Sequence, residues 1–401
     1  MKREREENDN DDDKTSKSPT SHDLKRTCSR EIKAAASKLP LDLKVEILKK
    51  LPGKSLVRFQ CVSKQWSTII SSRKDFIDSI VTRSLAKPLR DDLHFIFHHS
   101  RSSEPFFFFS STYTHKEHPI SITGIKSLRC SLEFQYVRGL ICYSTLISHD
   151  LVTIYNPTTR KSVSLPDIKS PNIMYRSCFF GYDSVMDQYK VMSVTNTLEK
   201  TFEHVCQVFT LGDPMKQWRK IQGIESHCPI GRSVHINGTI YYGGNPHDNN
   251  DVTSEFMLVS FDVRFERFDH INAPIVVTND MTYPALVNYK GKLGCFCYKN
   301  IGVEMWVMED VEKQEWSKTI SCLPNVPLER YPYYDRCVTL GGKIFLLQRS
   351  RYEPDDPLAI YCYDPKQNSF RRIEIQCTTP RRDDVIEVVG VSDHVENTMR
   401  L

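Results

Sequence analysis

Cys295 and Cys297 are the most closely spaced thiols in this 401-residue chain, and a pair at that spacing raises the question of metal binding. Side chains alternate across a strand, so both sulfurs fall on one face. A structural zinc site needs four donors, usually from a second pair at comparable spacing, and none accompanies these two, which therefore read as core residues. His98, His99, His115 and His118 form a local histidine cluster without a matching donor set and read as surface polar residues. The 13 cysteines and 13 histidines are numerous enough for a nucleophile and a base to meet in space. No local signature selects such a pair, so no catalytic residue is assigned. There is no Walker A loop and no dinucleotide fingerprint, since Gly341-Gly342 precedes a strand instead of opening a helix. No metal and no cofactor are expected.

Charge excludes further classes. The 54 basic and 50 acidic residues leave a net charge of +4, which supports neither nucleic acid nor an anionic membrane as partner. No apolar run approaches a membrane-spanning length, and the charged N-terminus leads into no signal-type apolar region. An odd number of scattered cysteines reads as reduced thiols, so the expected location is the cytoplasm, the nucleus or both.

The remaining chemistry is docking. Between Leu39 and Trp66 the chain reads LPLDLKVEILKKLPGKSLVRFQCVSKQW. At about 100° per residue, Leu43, Ile47, Leu51, Leu48, Leu41 and Val45 sweep roughly 200° of a helix, about twice the stripe that a helix with one wet face needs. Pro40 suits the first turn, and Pro52-Gly53 stops the helix. A second helix is expected from Ser55 to Cys61, burying Leu56 and Phe59. Ser63 is placed to cap a third that carries Trp66, Ile69 and Ile70, and Ser72 with Asp75 makes a capping-box pattern for a fourth. The apolar excess points to a partner protein, with a self-contained helical domain as the alternative.

These residues resemble an F-box. Leu39-Pro40, Leu43, Glu46-Ile47-Leu48, Leu51-Pro52, Ser55-Leu56, Arg58-Phe59 and Cys61-Val62-Ser63-Lys64 with Trp66 follow that family's pattern in order and spacing, in its plant form. The resemblance implies a Skp-family adaptor as partner, and through it cullin and RING subunits. It implies adaptor contact for Leu39, Pro40, Leu43, Ile47, Leu48, Leu51, Pro52, Leu56 and Val62, with Phe59, Trp66 and Ile69 tying the helices together.

The elements that would carry these surfaces follow from composition. Residues 1–36 are charged and poor in large apolar side chains and read as a disordered tail; 37–87 form the helical module; 88–401 change to short runs of Val, Ile, Tyr, Phe and Thr between turn residues. Arg138-Gly139, Asn237-Gly238, Lys290-Gly291 and Gly341-Gly342 each look like a tight turn entering an apolar strand, at a period of roughly 50 residues or twice that. Later in each unit comes an Asn or Asp turn, as at Asn156, Asp262 and Asp364. An aromatic or apolar residue follows, namely Val163, Trp218, Phe268, Trp316 and Phe370. This is the pattern of a β-propeller. The fold class is thus α plus all-β, with five units visible and a sixth blade closed by pairing strands near Leu93 to Phe97 and Phe106 to Ser111 with Asp384 to Val391. Stacked, sandwich-like sheets are the alternative.

Tyr155-Asn156-Pro157, Gly181-Tyr182-Asp183 with Tyr189-Lys190-Val191, and Phe261-Asp262-Val263 make this region similar to the plant F-box-associated domain. The resemblance implies a non-catalytic substrate receptor of a ubiquitin ligase, acting by bringing a target close. A scaffold that binds the adaptor without ubiquitylation, or an enzyme on a propeller whose lifetime the F-box controls, are the other readings. Loops carry specificity on rigid scaffolds, so target contact is expected at Tyr175, Arg176, His247, Asp248, Tyr331, Tyr333, Tyr334 and Arg351.

Overall fold

The computed structural model describes residues 39–86, 94–99, 120–122, 134–144, 151–168, 173–198, 202–248, 251–252, 256–274, 284–299, 302–320, 336–340, 342–347, 350–351, 359–377, 385–391 and 395–401. The chain divides into two compact units, 1–52 and 53–401. The first contains helix α1 (Leu41–Lys49), entered through Pro40, whose extended backbone makes it the N-cap. Asp42 in the first turn and Lys49 in the last complement the helix dipole.

The second unit begins with α2 (Gly53–Phe59), α3 (Lys64–Ser72) and α4 (Lys74–Leu85). Gly53 opens α2, two residues earlier than its expected start. Ser63 caps α3 as its position suggested, its Oγ accepting from Trp66 N–H at 3.2 Å. The expected Ser72/Asp75 box does not form. Ser72 is the last residue of α3, and only Arg73 leaves helical geometry, so it caps both helices; its guanidinium holds the Asp75 carboxylate at 2.7 Å, keeping that acid below its usual pKa. Phe59 and Trp66 meet edge to face with ring centroids 5.4 Å apart, and Ile69 is buried.

After β1 (His94–His99) and β2 (Ile120–Ile122), the chain lays down a series of antiparallel meanders. Blade I is β3 (Phe134–Val137), β4 (Leu140–Ser144), β5 (Val152–Asn156) and β6 (Lys161–Ser164). Blade II is β7 (Ile173–Asp183), β8 (Gln188–Leu198), β9 (Phe202–Thr210) and β10 (Arg219–Ile221). Blade III is β11 (His227–Ile236), β12 (Thr239–Asp248), β14 (Met257–Asp262) and β15 (Arg267–Ile271), with the short β13 (Asp251–Val252) paired to the end of β12. Blade IV is β16 (Ala285–Tyr289), β17 (Lys292–Lys299), β18 (Gly302–Asp310) and β19 (Glu315–Ile320). Blade V is β20 (Arg336–Leu340), β21 (Lys343–Leu347), β23 (Ala359–Asp364) and β24 (Ser369–Cys377), with β2 running parallel along β24.

The turns explain why the period was visible. Arg138-Gly139, Asn237-Gly238 and Lys290-Gly291 all take positive φ at both positions, the conformation that matches a two-residue hairpin to strand twist. The second recurrent turn starts at Asn156, Asp183, Asp262, Asp310 or Asp364 and ends on a residue of positive φ: Arg160, Asp187, Glu266, Gln314 or Asn368. In each, the Asx side chain accepts backbone N–H groups inside the turn, as Asp262 does from Arg264 and Phe265 at 2.8 Å.

The cores lie between successive blades. One joins Leu140 and Ile154 of blade I to Phe180 and Val191 of blade II; others join II to III, III to IV and IV to V. The periodic residues Val163, Trp218, Phe268, Trp316 and Phe370 pack against these seams, and the indoles of Trp218 and Trp316 donate to Pro166 O and Asn272 O of the preceding connections. Cores between sheets in ring sequence make a propeller, and the sandwich alternative is set aside.

The expected six blades are corrected to five complete ones among the described residues. The sixth sheet has three strands in the order β1, β25 (Val385–Val391), β22 (Ser350–Arg351). Its antiparallel β1–β25 ladder runs from His94 opposite Val391 to His99 opposite Ile386, so the expected pairing of an early strand with the C-terminal one is present. Phe106 to Ser111 lies outside the described residues, as do His115 and His118.

Candidate functional site

On α1 the wide apolar arc divides in two. Val45 and Leu48 are buried, Leu48 completely, whereas Leu41, Leu43 and Ile47 are 45 to 52% exposed. Leu39 and Leu51 are half-buried, and Pro40 and Pro52 exposed. In the second unit Leu56 is fully buried and Val62 is 61% exposed. Leu48 and Leu56 therefore serve as interior packing here, and the residues free to meet a partner are Pro40, Leu43, Ile47, Pro52 and Val62. Leu41, which the sequence reading left out, joins them.

The propeller has two unlike faces. Strands alternate in direction, so turns from first to second and from third to fourth strand open on one face, and all other connections open on the opposite one. The tight turns crowd the first face, and α2–α4 sit there: Arg138, in the β3–β4 turn, holds Asp78 of α4 at 2.8 Å and lies 4.2 Å over the Tyr182 ring. The second face receives the connections from second to third strand and those from blade to blade. Tyr175 and Arg176, expected in a loop, belong to β7 opposite Asn196 and Thr195, because β7 and β8 extend the blade II ladder to 11 residues each. His247 and Asp248 end β12 opposite Val252 and Asp251, and Arg351 pairs Val385, so these too are strand residues. Tyr331, Tyr333 and Tyr334 lie outside the described residues. Tyr175, Arg176, His247 and Asp248 sit toward the second-face ends of β7 and β12.

A nucleophile, base and amide do meet in space, in the seam between blades II and III. Cys206 Sγ lies 3.5 Å from His204 Nε2, and His204 Nδ1 lies 2.9 Å from Asn196 Oδ1. The electrostatics oppose catalysis: burial pushes the Cys206 thiol up to about 12 and His204 down to about 4, so the pair stays thiol and neutral imidazole. His227, next to it, donates or accepts at Tyr242 Oη (2.9 Å) and is lowered by burial as well. Sequence could have flagged only that His204 and Cys206 share a strand face.

Cys295 and Cys297 also share a buried face, with sulfurs 3.9 Å apart; their mutual contact and then burial hold the Cys295 thiol well above its usual pKa. Among the described residues no three His, Cys, Asp or Glu side chains converge as a metal-donor set, and no helix is long and apolar enough to cross a membrane.

Among the described residues, a short helical module with exposed apolar side chains on its first helix is followed by a β-propeller with five complete blades. The F-box domain model matches residues 36–78, and that of the F-box associated beta propeller domain matches residues 92–395. The Arabidopsis thaliana F-box protein At1g52495 is 43% identical over 380 residues, covering 90% of this chain and 87% of the relative. A second Arabidopsis thaliana F-box protein, At1g32420, is 49% identical over 322 residues, covering 79% and 100%. The chain belongs to the F-box proteins that carry an F-box-associated β-propeller, and at the family level this combination supports the role of a substrate receptor that binds a Skp-family adaptor.

Proposed function

We propose that the chain is the substrate-recognition subunit of a Skp-cullin-F-box ubiquitin ligase, without catalytic residues of its own. The adaptor covers the bare face of α1. The propeller holds a target protein, and transfer is accelerated by effective concentration. The observation that carries the reading is the exposure of Leu41, Leu43 and Ile47 on a helix whose Val45 and Leu48 are buried. Roughly 25 cal/mol per Å² of apolar surface is gained when a partner covers such a face. Target contact belongs to the second face of the propeller, turned away from α2–α4, and the protein works in the cytoplasm, the nucleus or both.

Replacing Leu43 and Ile47 together by Asp should abolish capture of a Skp-family adaptor while the melting temperature stays within about 2 °C of the parent, because both side chains are solvent-exposed. Retained capture by the double variant would contradict the assignment. Leu48→Asp is unsuitable, since it places a charge in the interior. Recovery of cullin with the adaptor separates a ligase receptor from a scaffold, which would bring down the adaptor alone.

A further inference from the structure

Residues 395–401 belong to no helix or strand, yet Val395 is buried and Asn397 and Thr398 are fully so. Buried backbone outside regular structure must find its hydrogen bonds elsewhere. Here the partners alternate between helices and propeller. Val395 N–H donates to Tyr136 Oη of β3 (2.7 Å) and Asn397 N–H to Thr158 Oγ1 in the β5–β6 turn (3.0 Å). Glu396 N–H donates to Ser84 Oγ of α4 (3.2 Å) and Arg400 N–H to Ser71 O of α3 (3.0 Å).

The side chains repeat the division. The Glu396 carboxylate accepts from Gly53 N–H at 2.8 Å and from Arg83 Nη2 at 3.0 Å, binding the start of α2 to the end of α4. Asn397 turns the other way: its Nδ2 donates to Arg138 O (3.0 Å) and Tyr189 Oη (2.9 Å), joining blade I to blade II. Asn156 Nδ2 donates to the carbonyls of Asn397 (3.0 Å) and Met399 (2.9 Å), and Met399 and Leu401 pack on the blade I–II core. Beside this segment a cavity of about 620 Å³, lined by Ser71, Asp78, Arg138, Tyr182, Leu211 and Met399 among others, separates α3 and α4 from blade II. Direct packing between helices and propeller is interrupted there.

We propose that residues 395–401 are a latch that fixes α2–α4 on the tight-turn face of the propeller, and that releasing it frees the helices while the blades stay folded. Glu396 is the helix-side catch and Asn397 the propeller-side catch. Both are positioning residues. The latch is a property of this chain alone; its consequence, that an opened latch loosens α2–α4 from the target-holding propeller and slows transfer to a bound target, rests on the ligase reading.

Hydrogen exchange on the full-length chain tests it. Asn397→Ala and Glu396→Gln should each speed exchange in 53–85 and in the 138–139 turn by about tenfold or more, with blades III to V unchanged and adaptor capture retained. Unchanged protection of 53–85 in both variants overturns the latch, as does an equal rise through all blades, which would signal general loosening. Should Asn397→Ala fail to fold, Glu396→Gln alone decides, together with a chain lacking 395–401. Adding a peptide of those seven residues at millimolar concentration should restore protection of 53–85 in that chain, and no response to the peptide overturns the proposal. Loss of adaptor capture by Leu43/Ile47 variants is read separately, so failure of one idea leaves the other standing.

Discussion

Gly139 is confined to glycine for two separate reasons. Its φ of +88° is costly for any residue with a side chain, and a Cβ there would fall 2.5 Å from Val395 O and 2.7 Å from Asn397 Cβ. Gly238 has almost the same φ, +86°, but its Cβ would meet nothing nearer than Tyr182 O at 3.9 Å. Gly238→Ala should therefore cost about 1 kcal/mol, the backbone penalty alone, and Gly139→Ala at least about 2 kcal/mol more, from steric displacement of the latch. Urea denaturation of the two variants measures the difference, and equal losses would contradict the close approach. The turn at Gly139 was legible from its repeat; the approach of Val395, more than 250 positions away in the sequence, was not.

At the scale of elements, α1 shows how far a helical projection reaches. The arc was correctly wide, but projection treats all its members as equivalent, whereas burial of Val45 and Leu48 leaves Leu43 and Ile47 outside. The loop placement of the described target-contact residues is corrected for a related reason. Tyr175-Arg176 and His247-Asp248 carry polar and aromatic side chains that fit a loop, yet their backbones continue ladders begun by β8 and β13. The three-stranded sheet supplies an element-scale test. Deleting 383–401 removes β25 and the latch together, exposing β1 and β22 as unpaired edges, and should lower the melting temperature sharply by differential scanning calorimetry. Deleting 395–401 should lower it less. An unchanged melting temperature after the longer deletion would refute closure by β25.

For the whole molecule, the II–III seam ties stability to pH. His235 sits with Nε2 3.2 Å from both the N and O of Tyr182, and burial first, then Arg138, lowers it to about 4 against an offsetting backbone contact. His204 is lowered to about 4 by burial and by His227. A histidine whose folded pKa lies below its unfolded value near 6.5 takes up a proton on unfolding in the window between the two. Its contribution is therefore complete above about pH 6.5 and is lost progressively as pH falls toward 4. The midpoint for urea unfolding should drop across that window, and His235→Gln should flatten the drop. A midpoint independent of pH from 6.5 to 4 would contradict neutral, buried histidines in the seam. Across the same seam Lys190 reaches Val263 O at 2.8 Å and Glu266 at 2.9 Å; burial alone would raise the Glu266 carboxyl, but Arg219 and Lys190 outweigh it and hold it low. The contribution of that carboxylate is complete well above its unfolded pKa and begins to fall only at the acid end of the window, below about pH 5, so the loss at higher pH belongs to the histidines.

Local rules made much of this protein readable: hairpin dipeptides, Asx turns, caps such as Ser63 and the spacing of seam aromatics act over a few residues and leave marks in order along the chain. They sufficed for the existence of a helical F-box followed by a β-propeller and for the first helix of that module. The tertiary structure alone decided which half of the α1 arc is bare, which cysteines and histidines meet, and that seven residues at 395–401 bind helices to blades. Those outcomes depend on contacts between segments hundreds of positions apart, whose energy comes from burial and from satisfying buried polar groups, and neither has a local signature.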